Sequence, residues 1–452
     1  MRGLILLVAA CGSAAAPAPK KPGAYHDPDG ARGQLPSVDT RKNELALVRH
    51  TLDTMYAHRL AKLARYHLDE DQIFAAAEKS IAAATSWYQY DAALYAVMAA
   101  FHDGHLSYHP PQTAAPKRGY YSVRLGLKTV IGGGALLVAA VDPGSEVAAA
   151  GVGPGDAVIA IDDKPIDRVF ARETGTRGDA RPESALVSFA KTWTSVLVTK
   201  GDKPRQRSIG VRKRSGGDVT VQITPKPPVS PKKDVVAIEK RGDVAIVTLK
   251  SLEGGKARQK AIDTVLADAR SSKGIVIDLR GDRGGIDTVG HRVVAGLVPG
   301  KAAVATYRVL AAPETLARRP KWKDLVAEAD GFSAVQTTTV DGLDQPYAGK
   351  VAVIVDAGCI STCEVVAAAL RADIGAVLVG DITGGSSGAP VDVALPASKG
   401  SLAIPTWNLT TPDGKPIEDD GVAPDLVVGP TPDGLAAGHD EPLDAAIARV
   451  TP

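Results

Sequence analysis

The segment Gly358-Cys359-Ile360-Ser361-Thr362-Cys363-Glu364 follows a continuous apolar run, Val351–Val355, and opens an Ala-rich stretch, Val365–Leu370. The pattern predicts strand, tight turn, Ser and helix in that order. A serine so placed sits at the positive end of a helix, beside backbone N–H groups that lack helical acceptors. That position suits a nucleophile whose reaction creates an oxyanion. It equally suits an ordinary N-cap, and the spacing alone leaves both uses open.

Two further clusters carry groups able to do chemistry. Phe101-His102-Asp103-Gly104-His105-Leu106-Ser107-Tyr108-His109-Pro110 places three histidines around a glycine and before a proline, in a loop. It reads as a metal tract, as the source of one histidine for a distant site, or as a solvated loop. Cys359 and Cys363 flank Ser361 with no second pair or spaced histidines to complete a zinc site. A disulfide is awkward if Cys363 is helical, so two small buried thiols are expected.

These groups need a scaffold, and the apolar periodicity supplies one. Residues 41–66 and 70–101 carry helical stripes, which predicts packed helices; His50, His58 and His67 read as surface or boundary residues. Residues 120–165 and 208–224 alternate as strands, 166–206 suggest a helical excursion, and Pro225–Pro231 marks a linker. From residue 235, short apolar runs alternate with helices: strand Val244–Leu249, helix Lys256–Ala269, strand Gly274–Leu279, a helix over about 287–298, and the Val351–Val355 strand. Residues 302–349 read as a long insertion of mixed composition. The fold class is therefore multidomain α/β, with active residues expected at strand ends.

A chain of 452 residues exceeds one small core. A net charge of +2 and the scarcity of Phe and Trp argue against a nucleic-acid surface. Arg2 precedes the apolar run Leu4–Ala10, which is too short to span a bilayer and ends at Cys11. Val8-Ala9-Ala10-Cys11 looks like a bacterial lipoprotein processing box. The expectation is a signal over 1–11, an acylated Cys11 as membrane anchor, and a linker over 12–36. The protein would then work on the periplasmic side of the cell envelope.

Four motifs in order resemble the S41 serine peptidases, the family of carboxyl-terminal processing and tricorn-type proteases. Asp278-Leu279-Arg280-Gly281-Asp282-Arg283-Gly284-Gly285 resembles Asp-Leu-Arg-x-Asn-x-Gly-Gly, with Asp282 where Asn is usual. Gly358–Glu364 resembles Gly-Ser-Ala-Ser-Ala-Ser-Glu, whose middle Ser maps onto Ser361. Leu378–Gly385 resembles the Val-Gly-Glu-x-Thr-x-Gly segment, and Ile417–Asp425 the Glu-x-x-Gly-Val-x-Pro-Asp signature. The processing proteases use a Ser-Lys dyad, but Ser386 occupies the Lys position and no Lys occurs from 351 to 398. The resemblance to tricorn-type members implies another base. Asp103-Gly104-His105-Leu106-Ser107 matches their Asp-x-His-Thr/Ser pattern, and Glu418 lies in the late signature.

The resemblance thus implies a triad of His105, Ser361 and Glu418. It also implies an oxyanion hole from Thr362 with Gly284 or Gly285, and a ClpP/crotonase-like core over 235–450. Arg280 and Asp282 would tie the oxyanion loop, with Glu364 a carboxylate favourable to the helix N-terminus. His102 and His109 fit the family pattern less well. Residues 118–228 resemble a PDZ domain, with Arg124-Leu125-Gly126-Leu127 as its carboxylate-binding loop; residues 37–117 form the helical domain before it. The implied activity is peptide-bond hydrolysis in envelope proteins or peptides, without metal or organic cofactor. The alternatives are a non-catalytic envelope peptide-binding lipoprotein and a scaffold. Oligomeric state is left open.

Overall fold

The computed structural model describes residues 32–111, 120–199, 201–227, 235–345 and 347–451. Cys11, the leader and most of the 12–36 linker lie outside the described residues. No helix among the described residues is long and apolar enough to cross a membrane.

The centre is a six-stranded sheet in the order Val236–Arg241, Val244–Leu249, Gly274–Asp278, Lys350–Val355, Val377–Gly380 and Leu426–Val427. All neighbours are parallel except the first pair. Its inner strands are Val- and Ile-rich and buried on both faces, as parallel strands covered by helices must be. Helices Lys256–Ala269, Asp287–Ala295 and Thr362–Ile374 share one hydrophobic core with it; Glu441–Val450 covers the opposite face. The Thr362–Ile374 helix is buried from Thr362 through Leu370 and stops at Gly375, whose φ of 64° few other residues adopt cheaply. Truncating the fully buried Leu370 to Ala would cost about 2–5 kcal/mol.

Residues 302–349 are not a loose insertion. Strand Lys301–Val309 sits between Gln336–Asp341 and Trp407–Thr410 in a second, antiparallel sheet packed on the Thr362–Ile374 helix. Its alternation is hidden in sequence because Thr and Ala fill both faces. A third sheet joins Ser107–His109 to Ser401–Ile404 and Val391–Ala394. The N-terminal helices Val38–Met55, Glu70–Ala83 and Trp87–Ala99 pack on this sheet in one core, while Arg59–Arg65 follows a break at Tyr56–His58. A separate core holds residues 125–223, a β-rich unit of mainly antiparallel strands with helices Ile166–Arg177 and Pro182–Thr192.

Candidate active site

Strand Lys350–Val355 ends at Asp356, whose Oδ1 accepts N–H bonds from Gly281 (2.7 Å) and Gly358 (2.9 Å). This carboxylate joins the two strand-end loops that flank the site. The chain then turns through Cys359 and Ile360 to Ser361, which takes φ 59° and ψ −132°. Such a backbone is rare for a residue with a Cβ and is held here by its neighbours. The Ser361 N–H donates to Ser386 O (2.8 Å) and to Glu364 Oε2 (3.0 Å). Cys359 and Cys363 are joined in a disulfide, contrary to the expectation of free thiols. One cysteine precedes the helix and the other lies in its first turn, so their Cα atoms come within 5.4 Å, inside the usual bridging range.

His105 reaches Ser361 from the third sheet. Asp103 Oδ1 accepts the His105 N–H at 2.9 Å, a tight turn that leads into strand Ser107–His109. The ring lies with Nε2 3.1 Å from Ser361 Oγ and Nδ1 2.9 Å from Ser386 Oγ. If Nδ1–H donates to Ser386, Nε2 is left free to accept the Ser361 proton. Burial lowers the His105 pKa, which favours the neutral imidazole that a base requires. Gly388 makes room for the ring: a Cβ there would stand 2.9 Å from His105 Cβ.

Glu418 makes no hydrogen bond to His105. Its Oε1 accepts from Lys62 Nζ at 2.6 Å, and its Oε2 accepts from the Ser387 N–H at 2.7 Å. The side chain therefore holds the backbone beside Ser386, and Ser386 occupies the position on Nδ1 that the sequence pattern assigns to Glu418. Burial pushes the Glu418 pKa up to about 7, with Asp103 adding to the rise. Glu364 is more than a helix-end carboxylate. Fully buried, it accepts from Ser361 N–H, Thr383 Oγ1 (2.5 Å), Gly385 N–H (2.8 Å) and Ser386 N–H (3.1 Å). It ties the Ser361 turn to the loop that carries Ser386 against His105. Burial pushes its pKa up to about 8 against those four hydrogen bonds.

Of the oxyanion candidates, the Thr362 N–H opens the helix and has no acceptor among the described residues. The Gly284 N–H donates instead to Asp282 Oδ1 at 2.9 Å, while that of Gly285 has no such partner. The Gly284 Cα lies against Ser361, since a Cβ built on it would fall 2.9 Å from both Ser361 Cβ and Thr362 N. Asp282 is buried and its pKa rises to about 7 through desolvation. Arg280 forms paired bonds to Asp278 and Asp440 at 2.7–3.0 Å. His102 stacks on Tyr66, and His109 bonds Ser107; neither bonds Ser361.

Two residues without a role in the sequence reading, His58 and Lys62, underlie the site together with Asp103. Asp103 Oδ2 accepts from Tyr56 O–H and faces His58 Nδ1, both at 2.8 Å. His58 Nε2 faces the Trp407 carbonyl at 2.8 Å, so this nitrogen must donate. With Tyr56, His105 N–H and nearby Lys62 favouring a charged Asp103, His58 is best described as a buried imidazolium. Lys62, also fully buried, bonds Glu418, Asp419 and the His102 carbonyl. His58, Asp103 and Glu418 form a cluster within 4.8 Å that has the donor types of a metal site. Here Lys62 and His58 supply the positive charge, and the donors are engaged with one another. No residue type marks this in sequence: the boundary reading of His58 is corrected by its 2% exposure.

In the β-rich unit, the Arg124 and Leu125 N–H groups donate to Lys226 O and Thr194 O. The backbone donors expected to cradle a peptide carboxylate are thus partly used within the chain. Gly126 and Leu127 continue this segment, with the Gly126 carbonyl accepting from Asp142 N–H.

Residues 243–428 match the model of Peptidase family S41. None of the curated proteins matches the chain in sequence. Among solved structures, mature CPAF aligns with a TM-score of 0.69 at 14% identity, over 90% of this chain and 96% of that one. The photosystem II D1 C-terminal processing protease aligns at 0.51 and 17% identity, over 87% and 94%. A putative peptidase from Parabacteroides merdae aligns at 0.53 and 14% identity, over 92% and 98%. These likenesses concern the fold. Over residues 243–428 the chain is thus similar to peptidase family S41, within an architecture similar to that of these proteins.

Proposed function

We propose that the protein is a serine peptidase with Ser361 as nucleophile and His105 as general base. The observation that carries this reading is the placement of His105 Nε2 3.1 Å from Ser361 Oγ with its other nitrogen on Ser386. Ser361 Oγ attacks the peptide carbonyl carbon while Nε2 takes its proton. The carbonyl oxygen becomes an oxyanion, met by the Thr362 N–H and by Gly285. His105 then returns the proton to the leaving amine as the C–N bond breaks. Water, deprotonated by the same nitrogen, hydrolyses the acyl ester and restores the serine. Ser386 holds the ring and its tautomer; Glu364 holds the Ser386 N–H and Glu418 the N–H of the adjoining Ser387. The reaction asks for no metal or organic cofactor.

The substrates in this reading are proteins or peptides of the bacterial envelope, with a lipid on Cys11 tethering the enzyme at the periplasmic side. The β-rich unit of residues 118–228 acts as a PDZ-like prop, since its loop donors are engaged internally. Hydrolysis of casein and a varied peptide pool by the full chain tests the function. Cleavage abolished by Ser361→Ala and His105→Ala, and unchanged by a chelator, is expected. Cleavage that survives Ser361→Ala, or that a chelator stops, overturns it.

A further inference from the structure

Beside the nucleophile lies a cavity of about 310 Å³, bounded by Ser361, Ile286, Asp287, Lys321, Trp407 and Leu409. Its walls mix apolar and polar groups, and the polar ones without a partner decide what it accepts. Trp407 is 8% exposed, and its indole N–H has no hydrogen-bond partner among the described residues. A buried donor without an acceptor is costly, and this one lies in a residue that lines a ligand-sized space.

Lys321 is the second group. It forms no ion pair among the described residues. Its ammonium lies 5.0 Å from the Trp322 ring and 6.0 Å from that of Trp407. The aromatic faces hold the charge at the cavity without neutralising it. The negative group of the cavity is already served: Asp287 Oδ1 accepts from Thr362 Oγ1 at 3.0 Å, and Asp287 opens the helix Asp287–Ala295, where the dipole favours a carboxylate. Burial lowers the pKa of His291, the remaining titratable group, so it adds no fixed charge near neutrality. The unspent capacity of the cavity is thus the Lys321 cation, the Trp407 N–H and the Ser387 hydroxyl, which also has no hydrogen-bond partner among the described residues.

We propose that this cavity is a subsite for a carboxylate carried by the substrate next to the scissile bond, recognised by Lys321 and the Trp407 indole N–H. The proposal rests on Ser361 being the nucleophile. The carboxylate comes either from an Asp or Glu side chain or from a free C-terminus one or two residues beyond the cut.

Internally quenched peptides carrying Glu, Gln, Leu or Lys at each position flanking the cleavable bond test the first source. Matched peptides ending in a free acid or an amide test the second. The expected result is kcat/KM higher for the carboxylate than for its neutral counterpart by about tenfold or more, as a charge-assisted pair gives. Lys321→Met should erase that preference, bringing the Glu and Gln peptides to equal kcat/KM, and Trp407→Phe should reduce it. Equal rates for Glu and Gln and for acid and amide, or a preference for Lys, overturns the proposal. Labelling of Ser361 by a fluorophosphonate, run in parallel, separates failure of this subsite from failure of the nucleophile. If no peptide is cut, binding of the same peptides to the Ser361→Ala protein decides: no preference for a carboxylate there also overturns it.

Discussion

The hydroxyl of Ser386 lies 2.9 Å from Nδ1 of His105, on the ring edge opposite Ser361. A neutral hydroxyl therefore does the orienting that a carboxylate does in a Ser-His-Asp triad. Ser386→Ala should leave the fold intact and lower kcat by about tenfold, the value of one hydrogen bond to the catalytic ring, with KM little changed. Steady-state kinetics with a cleaved peptide measures this; an unchanged kcat would remove Ser386 from the site.

Gly388 packs on the same ring. A methyl group there meets His105 Cβ at 2.9 Å and Pro405 Cβ at 3.0 Å, so the histidine must move. Gly388→Ala is expected to cut the rate about 100-fold through displacement of the base, with thermal stability altered much less. Peptide hydrolysis and a melting curve on the same sample separate the two effects.

The pH profile follows from His105. Its pKa lies below the ordinary imidazole value because burial disfavours the charged ring. The base form therefore persists to lower pH than for a free histidine. The acid limb of kcat/KM should fall below about pH 6.5, the unperturbed value. A limb centred above it would show that a different group controls the reaction.

His58 should behave in the opposite way. Its interactions with Glu418 and Asp103 outweigh burial and raise its pKa, so the imidazolium persists to higher pH than in a free histidine. The stability it contributes is fully present below the unfolded value and is lost as pH rises through the folded one. Nitrogen-15 spectra of histidine-labelled protein at about pH 6.5, the unperturbed pKa, should show both His58 ring nitrogens predominantly protonated. One bare nitrogen would contradict that assignment.

The disulfide gives a fifth handle. Replacing both Cys359 and Cys363 by Ser opens a five-residue loop and should cost about 2 kcal/mol in the chain-entropy account. Denaturant unfolding of wild type and double variant measures the difference; equal stabilities would show that the bridge adds none.

How much of this was legible in sequence depends on range. The Val351–Val355 strand, the Ser361 turn and the Lys256–Ala269 helix follow from local apolar patterning and match the observed elements closely. The Lys301–Val309 strand was hidden because its Ala and Thr residues give no contrast between faces. The closeness of His105 to Ser361 was legible through a motif, and the structure sets Nε2 3.1 Å from Ser361 Oγ. It was not legible where pairing is long-range: Lys62 meets Glu418 across 356 residues, and His58 meets Trp407 across 349. Neither spacing leaves a periodic signal. Assigning Glu418 to the His105 ring failed for a geometric reason, since Lys62 and the Ser387 N–H engage both of its oxygens.

The central claim is that Ser361 is a nucleophile activated by His105. The most direct measurement is labelling of the full chain with a fluorophosphonate, followed by peptide mapping of the adduct. The account predicts one equivalent of label on Ser361, abolished by Ser361→Ala and strongly slowed by His105→Ala in protein shown to be folded. Label on another residue, or labelling of Ser361 at the same rate without His105, would contradict it.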